Sequence, residues 1–226
     1  MKIKINNIYK SLILIFLPFT ILLSQEGTNH SNFNLSGGIG VHLFNSPSLT
    51  DYLNSLSLHR YDDFIVNPEF SVSFGRQISK NYSLNLDYTY IINSFNIENV
   101  TTKIENQLNI HIPIIILYHY YRTNGVILKL GLGAGYSYAV FSRKIFVMQT
   151  EKFFSRGFGL KLAIEANTPF GDNIYGLIAG DVKFMLMSEL RNSVSEKLTF
   201  RYGNQNKSLD LDFFNIGLKF GIIYYF

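Results

Sequence analysis

Hydrophobic residues recur at every second position through most of this chain. Leu84, Leu86, Tyr88, Tyr90 and Ile92 alternate with Asn85, Asp87, Thr89 and Asn93. Leu128, Leu130, Leu132, Ala134, Tyr136 and Tyr138 alternate with Lys129, Gly131, Gly133, Gly135 and Ser137, and Phe158 to Ala166 repeats the pattern around Lys161 and Glu165. A period of two belongs to a strand with two unlike faces. The runs exceed the about 5–6 residues of an ordinary soluble strand and suit the about 9–11 residues of a tilted strand crossing a bilayer. Eight such segments are expected, near 32–44, 66–78, 82–95, 105–121, 126–141, 154–168, 173–187 and 208–226. Connections at 79–81, 122–125 and 169–172 are tight, whereas those near 45–65, 96–104, 142–153 and 188–207 are longer and polar. The pattern predicts an all-β fold, an eight-stranded antiparallel up-and-down transmembrane β-barrel with its short turns in the periplasm.

Residues 1–24 differ in kind. Lys2, Lys4 and Lys10 precede an apolar run from Leu12 to Leu23, and Ser24-Gln25-Glu26 follows, the order of a secretory signal peptide cut after Ser24. The expected division is a signal at 1–24 and a barrel domain at 25–226. This changes the reading of the charge. Three of the 20 basic residues and none of the 16 acidic ones lie in the signal, which leaves +1 on the remainder. Nothing then argues for nucleic acid as a partner. The absence of cysteine excludes a disulfide framework, a thiolate metal site and a lipid-modified cysteine.

The two faces decide what kind of barrel this is. The face bearing Leu84, Leu128, Phe158, Ile178 and Phe184 is almost free of charge, while the other carries Glu69, Asp87, Lys129, Lys161, Glu165, Asp181, Lys183 and Lys219. A lysine or arginine facing lipid near mid-bilayer costs about 2–4 kcal/mol, so the charged face is assigned to the lumen. Eight strands enclose an interior just wide enough for side chains to fill it, and four acids against four bases predict an internal ion-pair network and a plugged lumen. Three places break the pattern. Leu209, Leu211 and Phe213 are out of phase with the outward row that begins at Ile216, which a β-bulge near Phe214-Asn215 would reconcile. Pro113 removes a ladder donor and predicts a bulge or loop boundary. Arg76 interrupts an outward row beside a turn, where it can snorkel.

The chain ends Lys219-Phe220-Gly221-Ile222-Ile223-Tyr224-Tyr225-Phe226. This resembles the C-terminal β-signal of bacterial outer-membrane proteins, and with the export signal and the threading it makes the chain similar to the small eight-stranded barrels typified by the OmpX and OmpA membrane domains. The strand Ile112–Tyr121 with the glycine-rich Leu128–Tyr138 looks more like the Bacteroidetes-type barrels, weakly like their PorT group. The resemblance implies a bacterial outer-membrane location, recognition by the barrel assembly machinery, contact with outer-membrane lipid and lipopolysaccharide, and a monomer.

Candidate chemistry is sparse. Gly131, Gly133 and Gly135 lie within a strand, without the strand-to-helix turn that a nucleotide loop needs, and read as small lumen residues. The histidines are His30, His42, His59, His111 and His119; no His-x-Ser-Asn lipid-hydrolase pattern accompanies them. His42 and His111 are expected in the lumen near Asp87 or Glu69, as hydrogen-bonded structural groups. No catalytic, cofactor-binding or metal-binding residue is assigned, and no cofactor is expected. Among 20 Phe and 15 Tyr, Tyr118, Tyr120, Phe170 and Tyr224 are expected in a periplasmic-side girdle and Tyr136, Tyr138, Phe141 and Phe154 in an outer one. Loop aromatics Tyr52, Tyr61 and Tyr202 leave a carbohydrate-stacking surface open. The expected function is a non-enzymatic structural or interaction scaffold presenting its loops to an extracellular ligand. The alternatives are a narrow pore for small solutes, an accessory role in protein secretion or envelope assembly, and an outer-membrane lipid hydrolase.

Overall fold

A computed structural model describes residues 32–57, 60–98, 103–123, 125–146 and 148–226. The expected signal peptide, His30 and His59 lie outside the described residues. Eight long strands close into one antiparallel barrel: β1 (Phe33–Asn45), β2 (Ile65–Ser79), β3 (Tyr82–Glu98), β4 (Lys103–Thr123), β5 (Val126–Ile145), β6 (Glu151–Pro169), β7 (Ile174–Met187) and β10 (Phe213–Tyr225), with β10 pairing β1 to complete the ring. A helix, α1 (Pro47–Leu56), follows β1, and a small hairpin of β8 (Thr199–Tyr202) and β9 (Gln205–Ser208) precedes β10. The tight turns and both barrel termini share one end, and the longer connections share the other.

Several strands outrun their expected limits. β3 reaches Glu98, β4 starts at Lys103 and β5 reaches Ile145, so two of the expected polar loops are largely strand. Polarity inverts along these four central strands. Near the turns, β3, β5 and β6 point charge inward and β4 points Ile116 and Tyr118 inward, while Leu84, Leu117, Leu130 and Leu162 face outward. Near the loops they point Phe95, Ile97, Ile104, Leu108, Phe141 and Phe153 inward, where all are buried, and Lys144 and Lys152 outward. The wall is a membrane barrel below and a water-soluble barrel above.

That inversion explains the first of the irregularities. β10 pairs with β1 and β7 without a register shift, so the expected bulge at Phe214-Asn215 does not exist. Leu209, Leu211 and Phe213 are apolar on the inward phase because they belong to the outer core. Phe141, expected in a girdle, joins the same core, and Tyr118 and Tyr120 also point inward. Strand β4 is apolar on both faces, which hid the direction of these side chains.

Pro113 produces neither bulge nor boundary. β4 runs through it, Tyr88 pairs with it from β3, and the β4–β5 register is the same at His111–Tyr138 as at Ile114–Gly135. Local close packing accompanies the lost donor. A Cβ on Gly135 would fall on the Pro113 carbonyl oxygen and 2.6 Å from Ile114 Cα, and one on Gly133 would fall 2.7 Å from Ile114 Cγ2. The glycines make room for the isoleucine ridge of β4. Gly135→Val therefore forces the wall apart and is expected to lower stability by about 1–3 kcal/mol, read as a lower urea midpoint for the barrel in detergent.

Candidate functional site

Two filled levels and an outer cleft are the places where chemistry is concentrated. At the base of the lumen Lys129 on β5 is enclosed by rings, its Nζ lying 5.5 Å from the Tyr118 ring centre, 5.2 Å from that of Tyr120 and 5.7 Å from that of Tyr225. Its ion pair is with Glu165 at 3.3 Å, the carboxylate opposite it across the β5–β6 ladder. Tyr118 Oη donates to the same carboxylate at 2.5 Å, and Tyr120 Oη donates to Ser83 at 3.0 Å. Burial of an ammonium is tolerable when a carboxylate and aromatic faces both surround it.

Above that floor runs a chain of charges crossing the barrel. Lys161 on β6 reaches Asp87 on β3 at 3.0 Å and Asp181 on β7 at 3.5 Å. Lys183 reaches Asp181 at 2.6 Å and Glu69 on β2 at 2.8 Å. Lys161 and Asp87 are 74 residues apart and Lys183 and Glu69 are 114 apart, so these two pairs meet only because the barrel closes. Lys219 shares the lumen face; among the described residues no carboxylate lies within 4.0 Å of its Nζ, so direct pairing joins three of the four lysines. His42 closes the chain, 3.5 Å from Glu69 and fully buried. His111, expected beside it, points outward instead: its Nδ1 shares a 2.6 Å hydrogen bond with Tyr88 Oη, and it stacks on Tyr90.

The outward aromatics mark the membrane. Tyr88, Tyr90, His111 and Tyr138 form one contact group, and Tyr82, His119 and Tyr121 another. Between His111 and His119 β4 presents Pro113, Ile115 and Leu117 to the outside. Eight residue steps at about 3.4 Å, tilted by about 40°, give a height of about 20 Å, close to the about 25 Å apolar band of such barrels. Leu218, Phe220, Ile222, Tyr224 and Phe226 face the same band.

The outer mouth is closed by protein. Leu49, Tyr52 and Leu53 of α1 are fully buried in the barrel opening. Tyr52, expected on a loop surface, lies edge-on to Phe141 of the wall at 5.8 Å and to Phe200 of the hairpin at 5.7 Å. Burial raises its phenol above the ordinary value, opposed by nearby Arg143, so the ring is held neutral. Residues 188–212 lie across the other side, where Glu189 accepts from Lys197 at 2.8 Å, from Ser208 at 2.8 Å and from Arg191 at 3.0 Å. Outside α1 opens a polar cleft of about 490 Å³, whose lining includes Thr50, Asp51, Asn54, Arg60, Asp63 and Tyr202. The cleft had one clue in the sequence, the loop tyrosine Tyr202; Thr50 and Asp51 had none, because α1 was not anticipated.

No protein-family model matches the chain, and no curated protein sequence matches it. Among solved structures it is similar to Neisserial surface protein A, at a TM-score of 0.50 and 14% identity over 88% of this chain and 100% of that one. It is similar to the same degree to Ail, the attachment invasion locus protein of Yersinia pestis, solved with the heparin analogue sucrose octasulfate: TM-score 0.50, 14% identity, 88% of this chain and 100% of that one. Likeness at this identity is one of fold, and the apolar belt supplies the rest. The chain is a small integral β-barrel of the bacterial outer membrane.

Lys161→Met removes the one cation that Asp87 and Asp181 share on this side of the chain, and is expected to cost about 3–5 kcal/mol. Adding Asp87→Leu should recover part of the loss and leave the remainder with Asp181. Urea unfolding of the single and double variants in detergent measures both. The Glu189 cluster makes a pH prediction. Its donors hold the carboxyl at about 2, below the ordinary 4.5. A lowered folded-state pKa contributes stability that is complete above about 4.5 and is lost as pH falls towards 2. Hydrogen-exchange protection of the Leu190 and Leu198 amides, which bond Leu209 and Leu190, should hold from pH 7 to 5 and fall below pH 4.5.

Proposed function

We infer that this protein is a closed, non-enzymatic scaffold that acts through the folded cap it presents outside the cell, without passing solute through its lumen. The observation that carries the reading is the double filling of the interior. The lower lumen is crossed by Lys161, Lys183 and their carboxylates, all buried, and the upper lumen is an apolar core completed by Leu49, Tyr52 and Leu53. A hydrated pore would need both levels to open. The histidines support a non-catalytic reading: among the described residues His42 stands in the lumen, His111 and His119 stand on the lipid face, and none bonds to a serine.

On this reading the partners are the outer-leaflet lipid, including lipopolysaccharide, around the girdles, the assembly machinery at Lys219–Phe226, and an extracellular ligand at the cap. Residues 1–24 serve as the export signal. Planar-bilayer recording tests the closed lumen. The purified barrel should give no single-channel steps under conditions where a general porin conducts, and a variant lacking residues 47–56 should stay silent, because the lower charge layer still blocks the path. Regular steps from the unaltered protein would replace the scaffold with a pore.

A further inference from the structure

The outer cleft has features of a binding site beyond its concavity. Its volume of about 490 Å³ falls in the range of about 300–1,000 Å³ typical of small-ligand clefts. Its walls are fixed. The hairpin is tied to α1 by the Tyr52–Phe200 edge contact and by Lys207, 3.5 Å from Asp51. The segment after α1 is held by Asn54, which accepts from the Tyr61 amide at 2.6 Å, and by Asn45, which donates to the Asp63 carbonyl at 2.9 Å.

The lining selects among ligand classes. Asp51 and Asp63 supply acceptors and Arg60 supplies donors. Asp51 and Asp63 are balanced by Arg60 and by Lys207, which lies 3.5 Å from Asp51, so the cleft carries no positive excess to draw a polyanion. The cation that Tyr202 attracts is already part of the chain, since Lys207 Nζ lies 4.2 Å from its ring centre. Tyr202 is nonetheless 46% exposed, an aromatic at the rim of a cleft rich in mixed donors and acceptors. A ligand that needs an apolar face for the ring and an array of hydroxyls for the polar groups is a pyranose. We propose that the cleft between α1, residues 60–63 and the hairpin binds a neutral saccharide, with Tyr202 stacking on one ring and Arg60 and Asp63 bonding its hydroxyls. The proposal rests on the cap being the working face of the scaffold, but its test does not involve conductance, so either can fail alone.

The experiment uses the whole barrel in a detergent without a sugar headgroup. Galactose, lactose, maltose and N-acetylglucosamine are offered in turn, with saturation-transfer NMR detecting contact and calorimetry giving Kd. At least one is expected to bind. Tyr202→Ala, at an exposed ring, should weaken that binding by about tenfold. Arg60→Ala, which removes the guanidinium donors, should weaken it several-fold; if that variant does not fold, Tyr202→Ala alone decides. No binding by any of the four sugars overturns the proposal. So does binding that Tyr202→Ala leaves unchanged, or a site that prefers tetramethylammonium or a heparin fragment to every sugar.

Discussion

Buried lysine ammonium groups set the terms for the rest of this barrel. An ammonium taken out of water without a counter-charge costs several kcal/mol, and eight strands leave no water channel wide enough to spare it that cost. Lys129, Lys161 and Lys183 are therefore stable inside only because Glu165, Asp87, Asp181 and Glu69 meet them from other strands. These contacts also report on closure. Asp87 and Lys161 are 74 residues apart, and Glu69 and Lys183 are 114 apart. A strand slipped by one residue would turn its charge toward lipid, so the network penalises misregister on both faces at once.

The charge layer then dictates what lies above it. Once the lower lumen is filled with polar groups, the wall beyond the membrane needs a core of its own, because it stands in water. β3 to β6 solve this by exchanging faces, and α1 with residues 188–212 supplies the side chains that a narrow ring of strands cannot provide alone. The contact of Tyr52 with both Phe141 and Phe200 joins wall, helix and hairpin at one ring. The outer segments are thus a folded cap, and the cleft outside α1 has rigid walls for that reason.

The alternation of faces made the barrel, its eight strands and the inward set of eight charged residues legible in the sequence, since one row of lipid-facing side chains cannot be charged. The same rule misdirects where the outside is water. Alternation alone makes Leu209, Leu211 and Phe213 look lipid-facing and out of phase, whereas Phe213 is in register and all three are buried inside. Tyr118, Tyr120 and His111 were misplaced for a related reason: β4 carries apolar or aromatic residues on both faces, so periodicity has no contrast there. Pro113 misled through a local rule that the β3 pairing overrides. The helix left little trace, because Pro47–Leu56 is a single short element whose only strong signal is the proline at its start.

The two levels also differ in what they can tolerate, and that difference points to where the protein meets its surroundings. In the lower lumen almost every change strands a charge or overfills a fixed ring, as the crowding around Gly131, Gly133 and Gly135 illustrates. At the cap Tyr202 is 46% exposed on the hairpin, away from the buried charge layer that closes the barrel. A barrel whose interior is fully committed to its own stability has only its outer surfaces left to act with. Of these the lipid face is constrained by the bilayer, so on the proposed scaffold reading it is the cap that offers residues for a ligand.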